Sequence, residues 1–296
     1  MNHNLSDQES LVKRASYLRL LASSLSEGMK SGNFKSLYRG QGIEFSGVRD
    51  YIPGDDDIRS IDWNVTARMC RPYVKIFEEE RELQVFILVD SSASMQIKTE
   101  DKRTKYSAAA ESAALLILAA EMSNCPIGGV FFDGAIHFSC KPTFGKEQTM
   151  LMLSHLDKLP VHQVKGSVLG PALTGAGKLL KKRSLVFVLS DFRSGEYEKP
   201  LIQLAQKNDI VAIRIQDKMD DELPSLGTVT FVDVESGLKM QLPSSSAKLK
   251  KQWSDYMDRN ENQWKNLCLK HGITTAILRN NDDPLRILSS ILIRKK

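Results

Sequence analysis

The sequence predicts an α/β fold built on a doubly wound, mainly parallel β-sheet. Leu83–Asp90 and Ser184–Asp191 are almost continuously apolar, which is the pattern of strands covered on both faces. Around them, apolar strand segments alternate with helical segments, as in repeated βαβ units. A chain of 296 residues is long enough for one large α/β domain with an appendage.

The elements are expected in the following order. Residues 8–29 favour an amphipathic helix with a leucine face, whereas residues 32–72 are rich in Gly, Arg and Asp and show neither helical nor strand periodicity. Strands are then predicted at residues 73–77, 83–90, 127–132, 135–139, 184–191, 210–215 and 274–278. Helices are predicted at residues 104–123, 147–156, 170–181, 200–207 and 246–271, with a last helix from Pro284.

These segments suggest a division of the chain near residue 82. We assign residues 1–82 to an N-terminal helical and irregular appendage and residues 83–296 to the main domain. A small β excursion is expected at about residues 223–243, between turns. Asp133-Gly134 separates two strand segments by two residues, which predicts a tight hairpin.

The composition is typical of a soluble protein. Hydrophobic residues make up 42% of the chain and charged residues 26%. Residues 1–9 are polar and the most apolar helical stretch, Ser112–Ala120, is too short to span a bilayer. The four cysteines lie far apart, as suits a reducing compartment. We therefore expect a cytoplasmic protein.

Positive charge is concentrated at the C-terminal end. The net charge is +5, and residues 247–296 alone carry 11 Lys/Arg against 5 Asp/Glu, a difference of +6. Such a tail usually forms the solvated face of helices, although it can also hold a protein at an anionic membrane surface. No base-stacking aromatic residues are interleaved with these charges, so no nucleic-acid partner is expected.

Oxygen-bearing side chains follow both apolar strands. Asp90, Ser92 and Ser94 come after the first strand, and Asp191 ends the second. Ligands of open α/β sheets bind beyond the carboxyl ends of the strands, and Mg²⁺ prefers carboxylate and hydroxyl oxygens, whereas zinc prefers nitrogen or sulfur. The pattern predicts a divalent-metal site. The alternative is that Asp90 and Ser92 cap the following loop and helix.

Asp90-x-Ser92-x-Ser94 resembles the metal-ion-dependent adhesion site of von Willebrand factor A domains. Ser167 falls where that family presents a threonine hydroxyl, and Asp191 falls at its second aspartate. The resemblance implies a von Willebrand factor A-like fold. It also implies that Asp90, Ser92, Ser94, Ser167 and Asp191 bind Mg²⁺, with Mn²⁺ or Ca²⁺ as alternatives, and that an acidic residue of a protein ligand completes the coordination.

The N-terminal part resembles a narrower group, the bacterial "domain of unknown function" family number fifty-eight. The segments that carry this resemblance are Gly40-x-Gly42-x-Glu44-Phe45, Arg49-x-Tyr51-x-Pro53-Gly54-Asp55-Asp56, Arg59-x-Ile61-Asp62-Trp63 and Ala67-Arg68. Proteins of this family are commonly linked with MoxR-type AAA+ ATPases. The resemblance therefore implies a non-enzymatic adaptor or co-chaperone of such an ATPase.

Two positions depart from the von Willebrand pattern. The family usually shows Gly-Thr followed by an acidic residue at the third metal loop, whereas this chain has Gly166-Ser167-Val168 after Lys165. Serine keeps the hydroxyl, but the missing carboxylate and the added cation lower the local negative charge. We expect weaker metal binding, or a site that depends on its partner.

Residues 49–71 combine arginines with aspartates and two aromatic side chains. One interpretation is an ion-pair network that docks the appendage on the main domain. The other is a partner-binding face made of Arg49, Tyr51, Asp62, Trp63 and Arg68, since aromatic and arginine side chains dominate binding hot spots. Both can hold together.

Two other function classes remain open. The first is a metal-dependent hydrolase that uses the same carboxylates, for which Asp133 and His137 are the candidate general bases. The second is a peripheral membrane scaffold held by the basic tail.

Overall fold

The computed structural model describes residues 18–23, 25–26, 41–78, 83–97, 103–158, 166–221, 227–232 and 239–292. The chain forms two compact units: residues 33–82, and residues 1–32 together with 83–296. The smaller unit ends at Glu82, so the larger unit resumes at Leu83, where the main domain is predicted to begin. Residues 1–32, in contrast, belong to the larger unit rather than to the appendage.

The smaller unit is built on a two-stranded antiparallel ribbon. Its strands are β1 (Gln41–Asp50) and β2 (Tyr73–Glu78), and a short helix, which we number α2 (Trp63–Met69), lies between them. The expectation of irregular structure over residues 32–72 is therefore wrong for β1 and α2, whereas residues 51–57 form turns and bends. The β1–β2 register is interrupted between Gln41 and Glu44 and again between Phe45 and Gly47. Such bulges disturb the alternation by which a strand is recognised in sequence.

The larger unit contains a six-stranded sheet and a separate β8–β9 pair. Its strands are β3 (Gln84–Asp90), β4 (Ile127–Phe132), β5 (Ile136–Thr143), β6 (Ser184–Ser190), β7 (Asp209–Gln216), β8 (Thr228–Val232), β9 (Lys239–Pro243) and β10 (Thr274–Arg279). The order in the sheet is β10-β7-β6-β3-β4-β5. All neighbouring strands are parallel except β4 and β5, which form the predicted hairpin. The antiparallel β8–β9 pair is the predicted β excursion.

Helices connect the parallel strands. They are α3 (Lys105–Met122), α4 (Lys146–Asp157), α5 (Leu169–Leu179), α6 (Glu198–Ala205), α7 (Lys218–Asp221), α8 (Ala247–Lys270) and α9 (Pro284–Leu292). Residues 18–23 and 25–26 are also helical and are numbered α1. The rest of the predicted helix over residues 8–29 lies outside the described residues. Among the described helices, none has the length and apolar content that a membrane crossing requires.

The sheet is buried on both faces. On one face, Phe86, Leu88 and Val186 belong to a core cluster that includes side chains of α5, α6 and α8. The alternating residues Val85 and Ile87, which point to the other face, are also fully buried, and α3 packs against this sheet. The fold is thus mixed α/β with a mostly parallel central sheet, as the apolar strands predict.

The position of β3 in the sheet determines where a ligand can bind. The chain passes from β3 to β4 on one side and places β6 on the other side of β3. The strand order therefore reverses at β3, and the crevice beyond the carboxyl ends of β3 and β6 is the usual ligand position in open α/β sheets. Asp90 and Ser190 are the last residues of these two strands.

Candidate functional site

Asp90 is the centre of a buried hydrogen-bond network at this crevice. Its Oδ2 atom accepts a hydrogen bond of 2.7 Å from the Ser190 hydroxyl and one of 3.1 Å from the Ser167 hydroxyl. Its Oδ1 atom accepts a hydrogen bond of 2.9 Å from the backbone N–H of Ser92. Residues from three separate loops thus meet at one carboxylate. Sequence reasoning predicts the convergence of Asp90 with Ser167 but does not foresee that Ser190 bonds to Asp90.

The two serines of the first loop extend the polar cluster. The Ser92 and Ser94 hydroxyl oxygens lie 3.2 Å apart. Ser92 precedes a 3-10 turn, Ala93–Gln96, and its side chain forms no capping hydrogen bond there. The bond from the Ser92 N–H to Asp90 does order the loop, as the capping interpretation expects. The Ser92 hydroxyl, however, is not used as a helix cap.

Asp191 completes the set of predicted ligands. It is almost fully buried, and its Oδ1 atom accepts a hydrogen bond of 3.2 Å from the Arg193 N–H. The Ser94 hydroxyl interacts with the same carboxylate. The structure therefore brings together all five residues that the sequence predicts as metal ligands.

The backbone turns sharply directly after Asp191. Phe192 has a φ angle of 55°, in the left-handed region that bulky residues rarely adopt. Burial holds it there, since its ring lies 5.3 Å from Trp264 and 5.6 Å from Tyr197, centroid to centroid. Strain of this kind costs about 1–3 kcal/mol and tends to occur at functional sites.

The two carboxylates have opposite electrostatic environments. Burial, together with the negative charge of Asp191, raises the pKa of Asp90 to about 6. Burial also acts to raise the pKa of Asp191, but the positive charges of Lys105 and Arg193 hold that pKa below its ordinary value. At neutral pH both groups are therefore anionic. Lys105 and Arg193 offset the repulsion at Asp191, whereas the pKa of Asp90 stays raised.

Lys105 is the part of the site that sequence reasoning missed. Its side chain is 2% exposed, and its ammonium nitrogen lies 3.1 Å from Asp191 Oδ2 and 3.5 Å from Asp220 Oδ2. Lys105 is the first residue of α3. A cation is unfavourable there because the helix dipole is positive at this end. That mismatch is the sequence signal that could have indicated a buried carboxylate partner.

Lys105 is also linked to a set of charged side chains outside the predicted metal ligands, through its contact with Asp220. The Arg193 guanidinium donates a hydrogen bond of 2.5 Å to Asp220 Oδ1. Asp217 and Asp220 each accept a hydrogen bond of 3.0 Å from the other's backbone N–H. Burial and the neighbouring Asp220 raise the pKa of Asp217. Lys105 is therefore shared between the carboxylate of the site and a supporting acidic loop.

The donor set fits a hard divalent cation. Asp90, Asp191 and the hydroxyls of Ser92, Ser94 and Ser167 offer only oxygen atoms, which Mg²⁺ prefers, and no nitrogen or sulfur for zinc. Within the described part of the chain, no three His, Cys, Asp or Glu side chains cluster as metal ligands do. A site here would thus depend on serine hydroxyls. Lys165, expected to weaken binding, lies outside the described residues.

The β4–β5 hairpin reaches the same region. The Val168 N–H donates a hydrogen bond of 2.8 Å to the Asp133 carbonyl, and His137 Nε2 lies 2.9 Å from the Ser91 hydroxyl oxygen. Ser91 is 1% exposed, and its hydroxyl also lies 3.0 Å from the Phe132 carbonyl, to which it donates. The hairpin therefore supports two of the three loops.

The predicted partner-binding residues lie in the smaller unit and have different roles. Arg49 forms a bidentate pair with Asp56, at 2.6 and 2.5 Å. Asp62 caps α2 by accepting from the N–H groups of Asn64 and Val65. Trp63 is 66% exposed. Arg68 is also exposed and Tyr51 is half-buried.

The fold and the site define an α/β protein with a polar, serine-rich crevice at the point where the strand order reverses. The chain belongs to the family described as "Protein of unknown function DUF58", whose model matches residues 47–263. It is 30% identical over 236 residues to uncharacterized proteins of Mycobacterium tuberculosis and Mycobacterium bovis, covering 78% of this chain and 73% of each relative.

Two solved structures are similar to the chain. One is the conserved hypothetical protein BatB from Bacteroides thetaiotaomicron, with a TM-score of 0.45 and 16% identity over 70% of this chain and 96% of that one. The other is an aerotolerance-related membrane protein from Bacteroides fragilis, with a TM-score of 0.48 and 16% identity over 71% and 96% of the two chains.

Proposed function

We propose that this protein is a metal-dependent protein-interaction module of the von Willebrand factor A type. The observation that carries the proposal is the meeting of three separate segments at Asp90, where the Ser167 and Ser190 hydroxyls bond to one carboxylate oxygen. Asp90, Ser92, Ser94, Ser167 and Asp191 would hold the cation, Mg²⁺ or alternatively Mn²⁺ or Ca²⁺. When bound, the metal would supply a strong anion anchor for an acidic side chain of the partner.

The chain's own residues prepare the site for such a cation. Burial first, and then the negative charge of Asp191, raise the pKa of Asp90, so a cation bound beside both carboxylates would offset these two effects. The buried Lys105 compensates part of that charge at Asp191. Asp90 and Asp191 would attract a divalent cation, but less strongly than two carboxylates without a neighbouring ammonium would. This is the physical basis for proposing modest metal affinity and a requirement for the partner.

We propose a MoxR-type AAA+ ATPase as the partner, with this protein as its adaptor or co-chaperone in the cytoplasm. Support comes from the N-terminal signature, which resembles that of proteins linked with such ATPases. The exposed Trp63 offers a second, metal-independent contact, because large exposed aromatic side chains often anchor interfaces.

A pull-down tests this proposal. Tagged protein is incubated with a MoxR-type ATPase from the same organism, in Mg²⁺ or in excess EDTA. We expect capture in Mg²⁺ and loss of capture both in EDTA and with Asp90→Ala. Asp209→Asn is the matched control. Asp209 is a carboxylate at the amino-terminal end of β7, whereas the crevice lies at the carboxyl ends of the strands. Undiminished capture in EDTA would contradict the metal-dependent contact.

A metal-dependent hydrolase is the second candidate, because His137 contacts Ser91 beside the metal loop. Burial lowers the pKa of His137, which leaves the imidazole neutral at physiological pH. However, Ser91 is buried and its hydroxyl donates to the Phe132 carbonyl, so its proton is not directed at His137. We therefore favour the interaction module. Turnover of a phosphoester or peptide panel with Mg²⁺, lost in Asp191→Asn, would reverse this preference.

A further inference from the structure

A second polar crevice lies at the carboxyl ends of β7 and β10, against α8. It encloses about 340 Å³ and is lined by residues that include Arg214, Gln216, Asp258, Glu261 and Arg279. A cavity of this volume is at the small end of the roughly 300–1,000 Å³ that small-molecule sites occupy. The predicted metal ligands do not line it. We call it the Arg214 pocket.

Arg214 is a buried cation whose Nε–H group has no acceptor among the described residues. Its side chain is 5% exposed, and its guanidinium lies over the Trp264 ring, 5.7 Å from the centroid. Its Nε atom has no hydrogen-bond acceptor, and no carboxylate in the described ranges forms an ion pair with it. Burying the Nε–H group in this state is costly, because water has been removed from it and no acceptor takes its place. Burial, followed by the nearby Arg193, lowers the pKa of Arg214, in agreement with that cost.

Gln216 provides an unmatched acceptor in the same pocket. Its Nε2 atom donates a hydrogen bond of 2.9 Å to Glu261 Oε2, which fixes the orientation of the amide. The Oε1 atom is then buried without a donor. Arg214 and Gln216 are two residues apart on β7, so their side chains leave the same face of the strand. One unmet donor and one unmet acceptor therefore belong to side chains that line the same pocket.

The charges of the lining restrict what could satisfy both atoms. Arg214 and Arg279 carry positive charge, whereas Asp220, Asp258 and Glu261 carry negative charge. A phosphate dianion would be attracted to the arginines but repelled by the carboxylates. A simple carboxylate would satisfy Arg214 and leave the Gln216 oxygen without a donor. A carboxylate with a neighbouring ammonium or N–H group satisfies both and matches the mixed charge.

We propose that the Arg214 pocket binds the carboxylate and adjacent N–H of an α-amino acid unit. The Arg214 guanidinium would take the carboxylate, and the Gln216 carbonyl would accept a hydrogen bond from the nitrogen. Both a free amino acid and the C-terminal residue of a peptide have this chemistry. The proposal does not depend on the metal site, so it can fail or succeed separately from the proposed function.

The Arg214 Nε–H group gives a direct readout. The full chain, labelled with ¹⁵N and kept in EDTA, is titrated with L-alanine, with the dipeptide Ala-Ala and with Ala-Ala amide, and separately with acetate and with inorganic phosphate. The Arg214 signal is identified by its loss in Arg214→Met, which retains an apolar contact with Trp264. We expect a saturable shift of that signal with L-alanine or Ala-Ala and none with the amide. Acetate is expected to bind at least about tenfold more weakly, since it lacks the N–H donor.

Two variants separate binding from general disruption. Gln216→Leu removes the acceptor while keeping Arg214, so it is expected to weaken alanine or Ala-Ala binding to the level of acetate. Arg183→Met is the matched control and is expected to leave binding unchanged. Arg183 pairs with Asp209 at the amino-terminal end of β7, whereas the Arg214 pocket lies at the carboxyl end. If Arg214→Met does not fold, Arg214→Lys, which also lacks the Nε–H group of arginine, identifies the signal, and Gln216→Leu still tests the proposal.

Each outcome either distinguishes a free amino acid from a peptide C-terminus or overturns the proposal. Binding of L-alanine alone indicates a free amino acid, and binding of Ala-Ala but not its amide indicates a peptide C-terminus. No saturable shift with any of these probes would overturn the proposal. Binding of inorganic phosphate alone, or equal affinity for acetate and alanine, would overturn it as well.

Discussion

The ammonium of Lys105 lies 3.1 Å from the Asp191 carboxylate, and both side chains are almost completely buried. A cation of the protein itself therefore stands beside the loop at which a metal cation is proposed to bind. The same ammonium lies 3.5 Å from Asp220, so it has a second carboxylate available. Lys105 is consequently the residue expected to adjust the metal affinity of the site.

Replacing Lys105 by Met is predicted to strengthen Mg²⁺ binding and to weaken the fold. Removal of a positive charge next to Asp191 leaves more negative charge for the metal, and we expect about a tenfold gain in affinity by calorimetry, or ~1.4 kcal/mol. Without metal, breaking a buried ion pair costs about 3–5 kcal/mol, which should appear as a lower Tm. Lys178→Met, an exposed position on α5, is the control. An unchanged Mg²⁺ affinity would mean that Lys105 does not influence the site.

Asp90→Asn is predicted to stabilise the metal-free protein at neutral pH. Burial and Asp191 raise the pKa of Asp90 from 3.8 to about 6, so the folded protein binds this proton more tightly than the unfolded chain. The stability that protonation contributes is fully present below pH 3.8 and is lost as pH rises through about 6. The uncharged asparagine avoids that loss, which is on the order of 3 kcal/mol.

The measurement is the free energy of unfolding of Asp90→Asn and of the unchanged protein, in EDTA, across this pH range. The advantage of the variant should be small below pH 3.8 and largest above about pH 6. Added Mg²⁺ should stabilise the unchanged protein but not the variant. A variant less stable than the parent at neutral pH would show that the hydrogen bonds to Asp90 outweigh its charge repulsion.

Ser167→Ala is predicted to weaken Mg²⁺ binding by about tenfold, or ~1.4 kcal/mol, with little change in the fold. The Ser167 hydroxyl bonds to Asp90 from a different loop, so its removal takes away one oxygen donor without opening the core. Thr174→Ala, which removes an exposed hydroxyl from α5, is the matched control. Equal Mg²⁺ affinity of the two variants would exclude Ser167 as a ligand.

Much of the larger unit could be predicted because its pattern is local. The apolar residues of β3 and β6 are buried on both faces, and such strands are visible as continuous runs in the sequence. The β4–β5 hairpin is predicted from Asp133-Gly134 alone, because an Asp-Gly pair between two strand segments favours a tight turn. The carboxyl-end rule then places Asp90 and Asp191 at one edge of the sheet, as the structure shows.

The missed features depend on distant contacts. β1 lies in a two-stranded ribbon with register shifts, so it lacks the regular alternation that marks a strand. The buried ammonium of Lys105 pairs with Asp191, 86 residues later, and with Asp220, which lies further still along the chain. The bond between Ser190 and Asp90 follows from the pairing of β6 with β3, which the order of elements along the chain does not specify.

The smaller unit offers a test that separates a docking residue from a structural one. Trp63 is exposed and Asp62, next to it, caps α2 with hydrogen bonds of 2.9 and 3.3 Å to two N–H groups. Trp63→Ala should abolish or strongly reduce capture of the MoxR-type ATPase while leaving Tm unchanged, since little apolar surface is buried at this position. Asp62→Ala should lower stability by about 1 kcal/mol through loss of the cap. Thermal unfolding and pull-down of both variants distinguish the two roles. Full capture with Trp63→Ala would contradict the proposed contact.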